Sequence, residues 1–267
     1  MSWWGKIIGG AFGYILAGPL GAALGVAMGH NFDAGLKRST SGKGYDGFQP
    51  GDQERVQTAF FTATFAVMGH IAKADGRVSE NEIAMAKTVM QHMQLDTDMR
   101  RTAINLFNEG KSADFPLDEV IEQLRYECHR RHNLIRMFVE IQIQAAYADG
   151  VMHPKEQQIL LHICEGLGIS RAEYAQLEAF ILAQKRGRGA TAASPQTTLQ
   201  EAYAILGVKQ GDDDKSVKRA YRRLMNQHHP DKLVAKGLPE EMMQVAKEKT
   251  QKIQAAYEQV KESRGMR

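Results

Sequence analysis

The segment with the clearest chemical character is a basic helix that runs into a His-Pro-Asp turn at His229, Pro230 and Asp231. Proline removes a backbone donor and disfavours helical backbone in the residue before it, so we expect the helix to end at this turn. One face of the helix is apolar and is expected to pack. The other face is offered to a partner and carries five cationic side chains, Lys215, Lys218, Arg219, Arg222 and Arg223.

Two other functions would use the same residues. The adjacent histidines His228 and His229 could bind a metal beside Asp231, but they point in different directions on a helix and no third ligand lies at metal-site spacing. The basic face could contact phosphate, but no aromatic residues are interleaved with it for base stacking. We therefore expect neither a metal site nor nucleic-acid binding in this segment.

The flanking segments predict an antiparallel helical hairpin with the His-Pro-Asp turn at its tip. Residues 199–208 form a short helix that stops at Gly207, and apolar residues after the turn recur at alternating steps of four and three, at Ala246, Thr250, Ile253, Tyr257 and Val260. Residues 199–263 closely resemble the J-domain of the DnaJ/Hsp40 family. The resemblance depends on four segments in the family's order and spacing, Tyr203 with Leu206-Gly207-Val208, Tyr221-Arg222-Arg223-Leu224, His229-Pro230-Asp231 and Ala255-Ala256-Tyr257-Glu258.

This resemblance implies a partner and a mechanism. J-domains bind the ATPase domain of an Hsp70 and trigger ATP hydrolysis, so His229, Pro230 and Asp231 would carry the stimulation. Lys215, Lys218, Arg219, Arg222 and Arg223 would supply electrostatic docking. The chain would need no cofactor and would not itself be an enzyme, since no nucleophile with a nearby base and no phosphate-binding loop is visible.

Two departures from the family narrow this role. The glycine/phenylalanine-rich segment and the cysteine-rich zinc module of general Hsp40 proteins are absent from the sequence, so broad capture of unfolded clients is not expected. Thr250 stands where many J-domains carry a phenylalanine, which predicts a thinner hairpin core. These departures favour a specialised, regulatory cochaperone over a general one.

The amino end predicts a membrane span. No charged side chain occurs from Ile7 to Gly29, and 23 helical residues would cover about 34 Å, enough to cross a hydrocarbon core. Trp3 and Trp4 suit the membrane interface. A cleaved signal peptide is the alternative, although its apolar region would be shorter.

The charges that flank this span predict its orientation. Lys37, Arg38 and Lys43 follow the span, against Lys6 and the amino terminus before it. This favours a single-pass protein of the bacterial inner membrane, with residues 1–6 periplasmic and the carboxyl-terminal domains cytoplasmic.

Glycines within the span predict contact between membrane helices. Gly21, Gly25 and Gly29 form two consecutive GxxxG patterns, which allow backbones to approach closely in lipid. We expect a homodimer through this surface. A loosely packed monomeric anchor, kinked at Pro19, is the alternative.

The middle of the chain predicts a second all-α domain. A tether at 30–52 and a linker at 185–198 flank residues 53–184, whose apolar spacing is helical, and the J-domain occupies 199–267. An internal repeat relates Ala74-Asp-Gly-Arg-Val-Ser-Glu-Asn-Glu82 to Ala148-Asp-Gly-Val-Met-His-Pro-Lys-Glu156. These units resemble the TerB-like helical domain. The order of segments resembles that of the membrane-anchored DnaJ-like proteins of Gram-negative bacteria. This resemblance implies that the chain acts on the Hsp70 DnaK and regulates envelope-stress or capsule-related signalling.

The repeated acidic residues allow two interpretations. Asp75, Glu82, Asp149 and Glu156 could hold a hard cation if the two units faced each other. Helix capping is favoured instead, because Ser79 with Glu82 forms a capping box and Pro154 suits a first helical position. The rival hypothesis for the whole chain depends on the first interpretation: a TerB-type membrane sensor or adaptor that binds a metal or a partner protein, with the J-domain as its output.

Overall fold

The structure is a computed structural model that describes residues 50–76, 78–93, 95–189, 199–239 and 242–266. Within these ranges the chain is helical without any strand, which confirms the all-α prediction. The helices are α1 (Pro50–Ala72), α2 (Glu80–His92), α3 (Thr97–Gly110), α4 (Leu117–Glu127), α5 (His132–Ala146), α6 (Pro154–Leu167), α7 (Arg171–Gly189), α8 (Leu199–Leu206), α9 (Asp214–His228), α10 (Pro230–Val234) and α11 (Met243–Ser263).

Helix α1 is the centre of the first domain. It packs on α3, α4 and α5, and nearly every residue from Val56 to Ala72 is buried. A helix that is apolar on all sides is stable only when other helices surround it. Phe60 contacts Phe138 of α5 edge to face, with ring centroids 6.3 Å apart. Helices α1 and α5 therefore contribute to one core.

Two glycines allow α1 and α3 to cross with their backbones in contact. A Cβ placed on Gly69 would lie 2.0 Å from the carbonyl oxygen of Phe107, and one placed on Gly110 would lie 1.8 Å from that of Ala66. Both distances are far below van der Waals contact, so only glycine fits at this crossing. The close contact between α1 and α3 therefore requires glycine at both positions.

The two repeat units begin their second helices in the same way. Gly76 and Gly150, in the turns after α1 and α5, have φ values of 96° and 100°, the left-handed region that glycine adopts at low cost. Ser79 caps α2 in a capping box with Glu82, which confirms that prediction. Pro154 is the first residue of α6, and Glu156 accepts a hydrogen bond from the backbone nitrogen of His153 at 2.7 Å.

The second domain is a hairpin of α9 and α11 closed by α8. Val217, Ala220 and Leu224 of α9 are buried, and so are Ala246, Ile253 and Val260 of α11. Tyr221 and Tyr257 stack across the hairpin, with ring centroids 4.0 Å apart and planes 10° from parallel. Helix α8 packs both on α11 and on α7, so the J-domain is docked on the first domain.

Two helices extend beyond the predicted domain at 53–184. Helix α1 begins at Pro50, inside the predicted tether, because proline is accepted at a first helical position. Helix α7 continues to Gly189, five residues into the predicted linker, because its Ala, Gln, Lys and Arg residues favour helix and outweigh the local cost of Gly187.

The predicted span at 7–29 lies outside the described residues, as do its glycines Gly21, Gly25 and Gly29. Among the helices that are described, none has the length and hydropathy needed to cross a membrane.

We expect Gly110→Ala to lower the free energy of unfolding by at least about 2 kcal/mol, because the new methyl group would overlap the backbone of α1. Gly211→Ala makes the same chemical change where nothing lies within 4 Å of the added atom, so it should alter stability by less than about 0.5 kcal/mol. Urea unfolding followed by circular dichroism measures both. Equal stability of the two variants would contradict the close crossing.

Candidate functional site

The local geometry of the His-Pro-Asp turn follows from how α9 begins and ends. Asp213 caps the helix by accepting a hydrogen bond from the backbone nitrogen of Ser216 at 2.8 Å. His229 has φ −61° and ψ 123°, so the chain leaves the helical region immediately before Pro230, as predicted. Pro230 then opens the short helix α10. The turn is therefore a sharp change of direction between two helices.

The turn presents the Asp231 carboxylate to solvent, whereas the Nδ1 atom of His229 is buried. The Asp231 side chain is 89% exposed and that of His229 is 44% exposed, and His229 Nδ1 lies 4.0 Å from Asp231 Oδ2. An exposed carboxylate at the end of a basic helix can accept hydrogen bonds from a cationic group of a partner. The structure thus places Asp231 in solvent and leaves His229 and Pro230 partly exposed.

The basic face of α9 lies opposite its buried face. Lys215, Arg219, Arg222 and Arg223 are exposed, and Lys218 is half-buried. Several like charges on one helix produce a positive potential that attracts an acidic surface. The face and the turn are continuous along the chain, so one partner surface can contact both.

Arg264 holds the other end of the hairpin together. Its guanidinium donates to Tyr203 Oη at 2.6 Å, to the carbonyl oxygens of Asp212 and Gln210, and to Asp214 Oδ1 at 3.1 Å. These bonds join the end of α11 to α8 and to the start of α9. This role of Arg264 could not be predicted from the sequence, because a single arginine after the last apolar position of a helix belongs to no recognisable pattern.

The two capping glutamates of the repeat meet in the first domain. Glu156 is buried, and Glu82 lies beside it. Burial, together with the neighbouring charge of Glu82, raises the pKa of Glu156 to about 7, although the hydrogen bond from His153 opposes the shift. Asp149 instead lies 3.8 Å from His153. Within the described residues, no group of three or more potential metal ligands occurs.

The two cysteines are separate and buried. Burial raises the pKa of both Cys128 and Cys164 to about 12, so neither is a reactive thiolate. The nearby His132, four residues after Cys128, forms a hydrogen bond between its Nε2 atom and Oε1 of Glu173 at 2.9 Å. Both cysteines are packing residues.

Comparison with known proteins identifies the chain's relatives. Three family models match it: Co-chaperone DjlA transmembrane domain at residues 1–39, Tellurite resistance protein TerB at 61–179, and DnaJ domain at 201–265. The co-chaperone protein DjlA of Photorhabdus laumondii is 45% identical over 279 residues, with 100% of each chain covered. The chain belongs to the DjlA co-chaperone family. DjlA of Coxiella burnetii is 46% identical over 274 residues, again with both chains fully covered, and DjlA of Photobacterium profundum is 44% identical over 276 residues.

Membership of the DjlA family agrees with the order of segments inferred from the sequence. The match to the DjlA transmembrane domain includes the predicted span, so the protein is a membrane-anchored co-chaperone with a TerB-like domain and a J-domain. The relatives are named co-chaperones and not enzymes. No solved structure gave a significant match to the chain.

Two charged residues that join the domains of this DjlA-family protein were also missed by sequence reasoning. Glu140 of α5 and Lys249 of α11 form a buried ion pair between the TerB-like domain and the J-domain. Glu140 stands in the apolar run from Met137 to Ile143, where an acidic side chain has no reason to occur without a partner. An acidic residue within an apolar helix segment is therefore the sequence feature that could have predicted this buried ion pair.

We expect Glu156→Gln to change how stability depends on pH. The folded-state pKa of Glu156 is raised from its ordinary value near 4.5 to about 7, so the wild type loses stability as the pH rises through this window. Glutamine stays neutral and can still accept the His153 hydrogen bond. Relative to the wild type, the variant should gain on the order of 1–3 kcal/mol between pH 5 and pH 8.

Urea unfolding at several pH values measures this difference. The matched control is Glu165→Gln, on the exposed face of the same helix, which should leave the pH profile unchanged. Parallel profiles for the wild type and Glu156→Gln would show that the two glutamates do not share this environment.

Proposed function

We propose that this protein stimulates ATP hydrolysis by the bacterial Hsp70 DnaK through its J-domain. The observation that carries the proposal is the exposed turn of His229, Pro230 and Asp231 at the end of a basic helix, within a segment that matches the DnaJ domain. Hydrolysis takes place in the Hsp70. The J-domain supplies binding energy that favours the hydrolysing conformation of its partner.

The proposed docking uses charge for recognition and the turn for stimulation. Lys215, Arg219, Arg222 and Arg223 are exposed and can approach an acidic surface without rearrangement of the hairpin. Complementary potentials raise the association rate and fix orientation more than they raise affinity. The basic face therefore brings the turn to its target, and the turn determines the rate of the step that follows.

The membrane anchor places this activity at the bacterial inner membrane, with both folded domains in the cytoplasm where DnaK and ATP are found. Support comes from the charges after the span, at Lys37, Arg38 and Lys43. Protease accessibility in inverted and right-side-out vesicles tests this orientation. Digestion of the J-domain only from the periplasmic side would contradict it.

Homodimerisation through the span is the second part of the membrane proposal. The spacing of Gly21, Gly25 and Gly29 supports it, since small residues four apart allow close helix contact in lipid. Gly25→Leu keeps the segment apolar, so insertion should continue while self-association in a two-helix membrane reporter falls. Gly10→Leu, outside this set, is the control. Unchanged association of the Gly25→Leu span would exclude a glycine contact.

We place the physiological role in envelope-stress or capsule-related signalling. A membrane-anchored J-domain concentrates Hsp70 action near one surface and suits regulation of a membrane process. Transcription of capsule genes in cells that carry His229→Gln measures this role. If these cells induce capsule-gene transcription as strongly as wild-type cells do, the protein acts in another process.

We expect His229→Gln to reduce the stimulated ATPase rate of DnaK to its basal value when the full-length protein is assayed in detergent micelles. The side chain is 44% exposed, so its replacement should leave the fold intact. His162→Gln makes the same change at an exposed histidine of the TerB-like domain and should retain full stimulation. Equal rates with both variants would remove His229 from the proposed mechanism.

Docking should weaken as the ionic strength rises, because exposed charges are screened over about 8 Å at physiological salt. Arg222→Ala and Lys218→Ala should each weaken DnaK binding by about two- to fivefold at low salt and reduce the salt dependence. Lys155→Ala, an exposed lysine on α6, is the control. Surface plasmon resonance over a salt series measures all three. Affinity that does not change with salt would contradict electrostatic docking.

A further inference from the structure

The two domains meet around one buried carboxylate. Glu140 of α5 is fully buried, and its contacts across the interface are Lys249 of α11 and His228 of α9, which are 4% and 3% exposed. Phe180 of α7 stacks on the His228 ring, with centroids 5.9 Å apart and planes 14° from parallel. The TerB-like domain thus contacts both long helices of the J-domain at one place.

Each oxygen of Glu140 faces a different helix of the hairpin. Oε2 accepts a hydrogen bond from Nζ of Lys249. Oε1 lies 3.6 Å from Nε2 of His228 and has no hydrogen-bond partner. Arg136, one turn earlier on α5, adds a positive charge nearby but forms an ion pair with Glu173. Lys249 is therefore the cation that neutralises Glu140 directly.

The charge state of this cluster follows from its burial and its neighbours. Burial disfavours the charge of Glu140, but Lys249, His228 and Arg136 together hold its pKa below the ordinary value. Burial lowers the pKa of His228 to about 4 against the opposing effect of Glu140, so the ring is neutral near pH 7. The cluster is one ion pair beside a neutral imidazole.

Burial of such an ion pair carries a large desolvation penalty, so the pair is stable only where both partners are held in direct contact. A fully buried carboxylate requires a bonded cation, and removal of either partner leaves an uncompensated charge in the interface. A cavity of about 420 Å³, lined by Gln176 of α7 and Gln227 of α9 among others, separates part of the two surfaces. Apolar packing is therefore incomplete here, and the ion pair is a direct polar contact between the two domains.

The contact supports the His-Pro-Asp turn from behind. His228 is the last residue of α9 and immediately precedes the turn. Asp231 remains 89% exposed in the docked arrangement, and Arg222 and Arg223 are exposed as well. The TerB-like domain therefore contacts the residue that anchors the turn without covering the surface offered to a partner.

We propose that Glu140 is a positioning residue for the His-Pro-Asp turn, through which the TerB-like domain holds the J-domain and fixes the geometry that stimulates Hsp70. This inference rests on the proposed function for its readout in ATPase rate. The TerB-like domain then contributes to J-domain activity, in addition to any partner of its own. Position affects the maximal rate, because small displacements of groups that act on a transition state are costly.

A cycle of Glu140→Met, Lys249→Met and the double variant tests this role in the full-length protein in detergent micelles. Each single variant should reduce maximal DnaK stimulation by about fivefold, while the concentration for half-maximal stimulation stays within about twofold of the wild type. The double variant buries no lone charge and has an apolar pair of similar volume, so it should recover at least half of the lost stimulation. Glu165→Met and Lys155→Met, at exposed positions, are the matched controls.

The titration of His228, followed by nuclear magnetic resonance, reports the contact without Hsp70. In the wild type its ring should not titrate between pH 5.5 and pH 7.5. In each single variant the interface opens, and the ring should titrate near the ordinary value of about 6.5. The variant His228→Gln identifies its signal among the nine histidines. Circular dichroism confirms that helix content is retained.

The outcomes separate this inference from the proposed function. Folded single variants with wild-type maximal stimulation and a silent His228 would overturn the positioning role. A higher half-maximal concentration at an unchanged maximal rate would overturn it too, because that result assigns Glu140 to docking. Failure of the wild type to stimulate DnaK would reject the proposed function and with it the positioning role, while the His228 titration would still decide whether the domains are joined through Glu140.

Discussion

The buried carboxylate of Glu140 is the constraint on which the arrangement of the two domains depends. A charge with no exposure to water must be neutralised by a partner, and the partner here belongs to the other domain. Apolar packing is incomplete beside this pair, so its contribution to the interface is larger than it would be in a continuous apolar contact. The pair acts together with the packing of α8 on α7, and it lies beside His228, the residue that precedes the His-Pro-Asp turn.

The J-domain separates its structural and binding residues along a single helix. Val217, Ala220 and Leu224 pack inward on α11, and the cations of the opposite face remain in solvent. Tyr221 stacks on Tyr257, and Arg264 closes the end remote from the turn. The hydroxyl of Thr250 donates to the carbonyl oxygens of Ala246 and Lys247, so this buried polar group is satisfied within α11.

The TerB-like domain is organised by close contact between helices and by its repeat. Gly69 and Gly110 allow α1 and α3 to touch, which places the long apolar helix at the centre of the domain. The two repeat units bring Glu82 and Glu156 together, and both glutamates also cap their helices. The acidic repeat therefore has a structural role in the described part of the chain.

The helical class, the ends of several helices and the position of the turn after α9 could be predicted from local patterns, because these features depend on neighbouring residues. Proline before Asp231, the Ser79–Glu82 capping box and the 3.6-residue periodicity act over a few neighbouring positions and can be read without knowledge of the fold. The contacts between distant residues could not be read in this way. Glu140 and Lys249 are 109 positions apart, and Gly69 meets Phe107 only after α1 and α3 have packed. These pairings depend on the tertiary structure, because a buried charge needs a neutralising partner and a glycine is required only where another backbone comes into contact with it.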